Sequence, residues 1–223
     1  MIKIFGVIIA LSLILVSCTR EPDTDGQRAS KAGDQNQPEV ETMPDLQKAV
    51  SRFDEDTLKL LSMARSCDPE TYQAPELELY EKAGDVTDNV YNQEISERFL
   101  TANAGQSCVF ITPSGLQFTI QEASDSDLSP ISGEIVSVHY RGRLLDGSEF
   151  DSSFARGEPA NFPSDRLIRG WVEALPMMRV GERWTLYIDP DLAYGAAGAG
   201  RMIGPNQALI FDLELLGLPG RDE

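Results

Sequence analysis

The sequence predicts an α+β protein: a small all-α N-terminal region leading into a C-terminal antiparallel sheet curled around one short helix. Three observations predict it. Apolar residues recur every three or four positions through residues 44–112, and from Pro113 onward the period changes to two. The second half also holds one short helical run, Gly170 to Leu175, stopped by Pro176. Isolated helices shorter than about 12–15 residues are marginal in water. A sheet wrapped around this one supplies the stability it lacks, and the helix covers the apolar face of the sheet.

The chain opens with MIKIFGVIIALSLILVSC, in which Lys3 precedes an apolar run from Ile4 to Val16, and small Ser17 precedes Cys18. The run is shorter than the roughly 20 residues of a spanning helix and fits a secretory signal over residues 1–17. Its end, Leu15-Val16-Ser17-Cys18, resembles the lipobox of bacterial lipoproteins. That resemblance implies lipidation of Cys18 as the new N-terminus and attachment to a membrane through its acyl chains. Thr19, rather than Asp, follows the cysteine, which in such lipoproteins implies the periplasmic face of the outer membrane. Residues 18–43 are polar and rich in Asp, Gln, Pro and Gly, the composition of a disordered tether about 25–30 Å in mean span.

In residues 44–112, Leu46, Val50, Phe53, Thr57, Leu60 and Ala64 form one helical stripe, opened by Thr42 and Asp45 at capping-box spacing. A short second helix is expected from Pro75 to Ala83, and a third from Asp88 to Asn103 carrying Val90, Tyr91, Ile95, Phe99 and Ala102. Two readings stay open: a small bundle packed on itself, or a surface for a homodimer or for client chains. With Cys18 lipidated, Cys67 and Cys108 remain as an even pair in an oxidising compartment, either a disulfide or two buried thiols.

Beyond Pro113, GLQFTIQ, EIVSVHYRG, RWTLYID and ALIFDLELLG read as strands. In the last, Leu209, Phe211, Leu213 and Leu215 point one way while Asp212 and Glu214 point the other. Asp146-Gly147 predicts a two-residue hairpin with both turn positions at positive φ.

Several chemistries are excluded. The net charge of −17, or −18 once Lys3 leaves with the signal, offers no basic surface to neutralise phosphates, so nucleic acid is no partner. The single histidine, His139, allows neither a histidine-based nucleophile relay nor a multi-histidine metal site. There is no Cys-x-x-Cys. The glycine-rich YGAAGAGRMIG leads into Pro205 and a strand, whereas a phosphate-binding loop opens a helix. No metal or cofactor is implied. What remains is an apolar pocket set, Tyr140, Phe150, Phe162, Leu167, Ile168, Trp171, Tyr194, Ile203 and Phe211, with Asp151 its one carboxylate.

VHYRGRLLDGSEFDSSFARG, LIRGWVEALPMMRVGE, DPDLAYGAAGAG and ALIFDLELL together resemble the FKBP-type peptidyl-prolyl isomerases, the macrolide-binding immunophilins, across nearly all of residues 113–218. Upstream, ERFLTANAGQSCVFITPSGLQFTI resembles the junction of the macrophage-infectivity-potentiator-like branch, where a helical region leads into the catalytic domain. The resemblance places an isomerase domain at residues 113–223 behind the helical region 44–112. It implies an FKBP-like fold and catalysis of prolyl cis–trans exchange, assisting the folding of exported proteins. Trp171 would floor the proline pocket, with Tyr140, Phe150, Leu167, Ile168 and Phe211 as walls and Phe162 behind. The Tyr194 hydroxyl and the Ile168 backbone N–H would donate to substrate or macrolide carbonyls. Asp151 would lie beside the pocket, and Ala199 and Ile203 on an overhanging loop. The partners implied are proline-containing unfolded or partly folded polypeptides and a macrolide. Three positions depart from the family: Ala160 for an aromatic, Ala199 for a histidine found in some members, and Gly204 for a proline. Cys108 stands where the branch often has glycine. A lipid-anchored chaperone or assembly factor, with the acidic helical region binding clients and the pocket inactive, is the alternative.

Overall fold

The computed structural model describes residues 52–76, 82, 84 and 86–221. The signal, Cys18, the tether, the stripe positions Leu46 and Val50, and the capping pair Thr42 and Asp45 lie outside them, as does most of the segment expected to form the second helix.

Seven strands form one antiparallel sheet: β1 (Phe110–Ile111), β2 (Gln117–Glu122), β3 (Ile135–Arg143), β4 (Glu149–Ser152), β5 (Ala160–Pro163), β6 (Arg183–Ile188) and β7 (Leu209–Gly217). The order is β1-β2-β6-β7-β3-β4, and β5 also pairs with β3. Both β4 and β5 therefore use the same edge of β3, β4 along Arg141–Arg143 and β5 along Ile135–Val138. Among the described residues four helices accompany the sheet: α1 (Glu55–Arg65), α2 (Asp88–Ala104), the one-turn α3 (Ser153–Arg156) and α4 (Arg169–Ala174). This is the expected sheet around a short helix. Trp171, Ala174 and the adjoining Leu175 are buried in one core with Phe118, Trp184, Leu186, Ile188, Leu213 and Leu215 of the strands. The 3-10 turn Leu175–Met177 absorbs Pro176 and extends α4, so that Met177 and Met178 are buried too.

The described N-terminal helices pack on the sheet rather than as a bundle on themselves. The first begins at Glu55, because the Asp54 side chain caps it by accepting from the Thr57 N–H at 2.7 Å and Phe53 lies before it in a bend. Its Leu61 and Ala64 enter the main core. Arg65 reaches a fully buried carboxylate, donating to Glu182 Oε1 at 2.6 Å and to the Met177 carbonyl at 2.9 Å. Glu182 Oε2 also accepts from the Trp184 indole and the Arg179 backbone. Where part of a second helix was expected, Pro75 and Glu76 are not helical, and a 3-10 turn lies earlier, at Pro69–Thr71.

On the outer face of the sheet, α2 places Phe99 and Leu100 against Tyr187, Ala208 and Ile210. Asn103 donates to Gln117 Oε1 at 2.9 Å and accepts from the Tyr72 hydroxyl, while Gln117 donates to the Leu100 carbonyl. This cover explains why β2 buries four consecutive residues and β6 five, where a half-buried strand would alternate. Cys67 and Cys108 are joined by a disulfide with a Cα–Cα distance of 5.6 Å, tying the end of α1 to the lead-in of β1. Cys108 has φ +61°, the left-handed region that favours glycine.

The Asp-Gly hairpin is wider than expected. Only Gly147 has positive φ (+85°), and Leu144 N–H donates to Ser148 O around a three-residue loop, Leu145 to Gly147. That is a type I turn closed by a left-handed glycine, so Asp146 keeps an ordinary backbone and accepts from the Ser148 N–H instead.

Candidate functional site

Trp171 lies in the first turn of α4 and is 3% exposed. Three rings meet it edge-on: Tyr140 from β3 at 5.2 Å, Phe211 from β7 at 5.2 Å and Phe162 from β5 at 6.3 Å, with interplanar angles of 79–85°. The geometry follows from sheet register. Tyr140 and Gly142 alternate with residues facing the other way, and Gly142 pairs with Phe211 on the neighbouring strand. Phe150 stands perpendicular to Phe211 at 5.5 Å. A Cβ on Gly142 would come within 2.6 Å of the Phe150 ring and 2.7 Å of Phe211, so only glycine lets both rings stand there. The Trp171 Nε1–H has no acceptor among the described residues. Packing alone holds this indole.

Phe150, Phe162, Leu167, Ile168 and Ile203 are half-buried around that floor and packed on the same core. Ile168 is the N-cap residue of α4, so its backbone N–H stands outside the helical ladder. Tyr194 is 39% exposed, and its hydroxyl has no hydrogen-bond partner among the described residues. Ala199 is not brought against the aromatic rings; it pairs with Ile203 across the loop, donating to the Ile203 carbonyl at 2.8 Å and accepting from its N–H.

Asp151 belongs to a polar trio. It accepts from the Tyr140 hydroxyl at 2.6 Å and from the Arg156 guanidinium, and Arg156 also donates to the Tyr140 oxygen at 2.8 Å. Burial pushes the Asp151 carboxyl upward, but the hydrogen bonds from Tyr140 and Arg156, with the Arg156 charge, outweigh it and hold the pKa below its ordinary value. Burial raises the Tyr140 and Tyr194 hydroxyls, and the Asp151 charge pushes both in the same direction. Sequence reasoning missed Arg156. Its signal was local: it lies five residues after Asp151 on α3, the one-turn helix whose N-cap Ser152 accepts from the Ala155 N–H. His139 stacks on Phe154 at 4.6 Å and bonds Ser153, on the face of β3 opposite Tyr140.

Around Trp171 the described residues include no nucleophile–base pair, the bonded His139 and Ser153 being aside from the ring cluster. The arrangement offers a buried aromatic platform, half-buried apolar walls and a neutralised carboxylate, whose charge also acts on the Tyr194 hydroxyl. Residues 126–216 match the family described as FKBP-type peptidyl-prolyl cis-trans isomerase. The FKBP-type 22 kDa peptidyl-prolyl cis-trans isomerase of Escherichia coli is 44% identical over 141 residues, 62% of this chain and 68% of the relative. This chain belongs to the FKBP-type isomerase family. Another relative, the peptidyl-prolyl cis-trans isomerase Mip of Coxiella burnetii, is 46% identical over 125 residues, and the chain spans 54% of its length. The crystal structure of FkpA from Escherichia coli superposes with a TM-score of 0.56 at 38% identity, covering 59% of this chain and 61% of that one.

Proposed function

We propose that this FKBP-type protein is a peptidyl-prolyl cis–trans isomerase that binds proline against Trp171 and assists the folding of exported polypeptides, held to the outer membrane by lipid on Cys18. The observation that carries the catalytic reading is the buried indole ringed edge-on by Tyr140, Phe162 and Phe211. Cys18 and the sequence before it support the envelope setting.

The chemistry needs no bond to a protein atom. The barrier to amide rotation, about 18–20 kcal/mol, comes from resonance that places charge on oxygen and double-bond character in C–N. Twisting the bond removes that charge separation, so an apolar site disfavours the planar ground state relative to the twisted one. The ring rests on Trp171, walled by Phe150, Phe162 and Phe211. The Tyr194 hydroxyl and the Ile168 N–H bind the flanking carbonyls and hold the chain partly turned, so that binding is strongest in the transition state. Shortening an exchange of ~100 s to ~10 ms is four tenfold steps, about 5.5 kcal/mol. Asp151, occupied by Tyr140 and Arg156, keeps Tyr140 in place and acts as neither acid nor base. The same pocket would take a macrolide. The alternative, client binding by the helical region 44–112, would have to use residues other than Ile95, Phe99 and Leu100 of α2, which are buried.

The test is refolding of a protein limited by prolyl exchange, with the chain from residue 19 as catalyst. Acceleration is expected at micromolar enzyme, and Trp171→Leu should lower kcat/KM by about tenfold or more. A folded protein that leaves the refolding rate unchanged would overturn the proposal.

A further inference from the structure

Helix α2 does more than cover the outer face of the sheet. From its buried side, Ser96 grips the backbone of the segment that returns from the pocket. Its hydroxyl donates to the Asn206 carbonyl at 2.9 Å and accepts from the Ala208 N–H at 2.8 Å, and Ser96 is only 2% exposed. One turn earlier, the Asn92 amide donates to the Pro205 carbonyl at 2.8 Å. Asn89 accepts from the Asn206 side chain. Polar residues on one stripe of a helix thus hold Pro205, Asn206 and Ala208, although each is far away in sequence.

What they hold leads directly to the site. Asn206 stands in the left-handed region at φ +53°, which asparagine adopts more readily than other non-glycine residues. In that posture its N–H donates to the Gly195 carbonyl at 2.9 Å, closing the loop at the residue next to Tyr194. Within the closed loop, Ile203 pairs with Ala199 and packs on the core that contains Trp171. Gly204 N–H is taken up by the Gln207 side chain at 2.7 Å. The path from α2 to the pocket is short: Ser96, Asn206, Gly195, Tyr194.

We infer that Ser96 and Asn92 are positioning residues for the isomerase site, through which the N-terminal helical region sets the placement of Tyr194 and Ile203 and so the affinity for the prolyl substrate. This deepens the proposed isomerase reading and rests on it. The two side chains touch no substrate; they keep the loop in one arrangement before substrate arrives, so the ordering is not charged against binding. Their loss should therefore raise KM and leave kcat nearly unchanged, because bound substrate restores the loop arrangement and only the cost of ordering it is added to binding.

The experiment uses the chain from residue 19 with its disulfide intact. Steady-state kinetics on a proline tetrapeptide are compared for wild type, Ser96→Ala, Asn92→Ala and a control, Tyr72→Phe. The control removes a hydrogen bond between α2 and the preceding segment, without touching the loop. Amide hydrogen exchange across residues 195–208 is followed in the same samples. The expected result is a KM raised roughly fivefold in Ser96→Ala and about two- to threefold in Asn92→Ala, with kcat within about twofold. Exchange in 195–208 should accelerate in both, and Ser96→Thr, which keeps the hydroxyl, should restore slow exchange. Should Ser96→Ala fail to fold, Asn92→Ala, whose side chain is only half-buried, decides by the same two readouts. Unchanged KM and unchanged exchange overturn the inference, as does a KM increase of equal size in Tyr72→Phe. A wild-type protein that turns over no prolyl peptide would sink both the isomerase reading and this inference; a normal wild type with insensitive variants would sink this inference alone.

Discussion

Asp151 lies beside the pocket as a fully engaged ion, and its setting makes a pH prediction. Because folding holds its pKa below the ordinary 3.8, the unfolded chain binds the proton first as pH falls. The stability it contributes is therefore complete above 3.8 and is lost as pH drops through the lower folded value. Tyr194, pushed upward by burial and by Asp151, stays a protonated donor beyond its ordinary 10.0. The kcat/KM profile on a prolyl tetrapeptide should thus be flat from about pH 5 to about pH 9. In Arg156→Ala the acid limb should move to higher pH, since one of the two groups holding the carboxylate is gone. A second prediction concerns Gly142: in Gly142→Ala the new methyl drives Phe150 and Phe211 apart, lowering stability by about 1–3 kcal/mol in urea denaturation and raising KM. Residue chemistry was readable from the sequence where it was apolar. Trp171, Tyr140 and Phe211 have few places to go but inside, and they meet as their alternation requires. Arg156 was not readable, because a charged residue in a short exposed segment carries no periodic signal, and its partners come from β3 and β4.

At the scale of elements, the strands were legible and the helices less so. A period of two survives in β7 because only its inner face is fully buried. In α2 the buried face includes Ser96 and Asn103 beside Ile95, Phe99 and Leu100, so an apolar stripe alone could not show that the helix lies on its own sheet. The start of α1 was masked by the same logic: Phe53 fits the stripe, but Asp54 caps a helix that begins after it. The ion pair of α1 supports a direct test. Arg65→Met leaves Glu182 as a fully buried carboxylate with neutral donors only, and breaking such a pair costs about 3–5 kcal/mol. Urea denaturation should show that loss, while Glu182→Gln in the same background should recover part of it. Equal stability of Arg65→Met and wild type would mean that α1 is not docked through this pair.

At the scale of the whole molecule, the Cys67–Cys108 bridge closes a loop with a sequence separation of 41 that contains all of α2. Chain-entropy reasoning assigns such a loop about 3–4 kcal/mol. Cys67→Ser with Cys108→Ser should lower stability by that order in urea denaturation, and a reductant should do the same to wild type alone. Restoring glycine at 108 in the bridge-less protein should recover a fraction, since the position sits at positive φ. Composition and period foretold a sheet around a helix. They could not foretell that β4 and β5 would divide one edge of β3 between them, because that division depends on where α3 interrupts the chain.

That division has a consequence for the company this protein is proposed to keep. The boundaries of its sheet are a two-residue strand at one side and a pair of four-residue strands, broken by a helical turn, at the other. An unfolded polypeptide brings unpaired backbone amides and carbonyls with it, and a long straight border would invite it to zip on and stay. Borders this brief give a visiting chain little to propagate along, so a proline can be held and let go without seeding an aggregate.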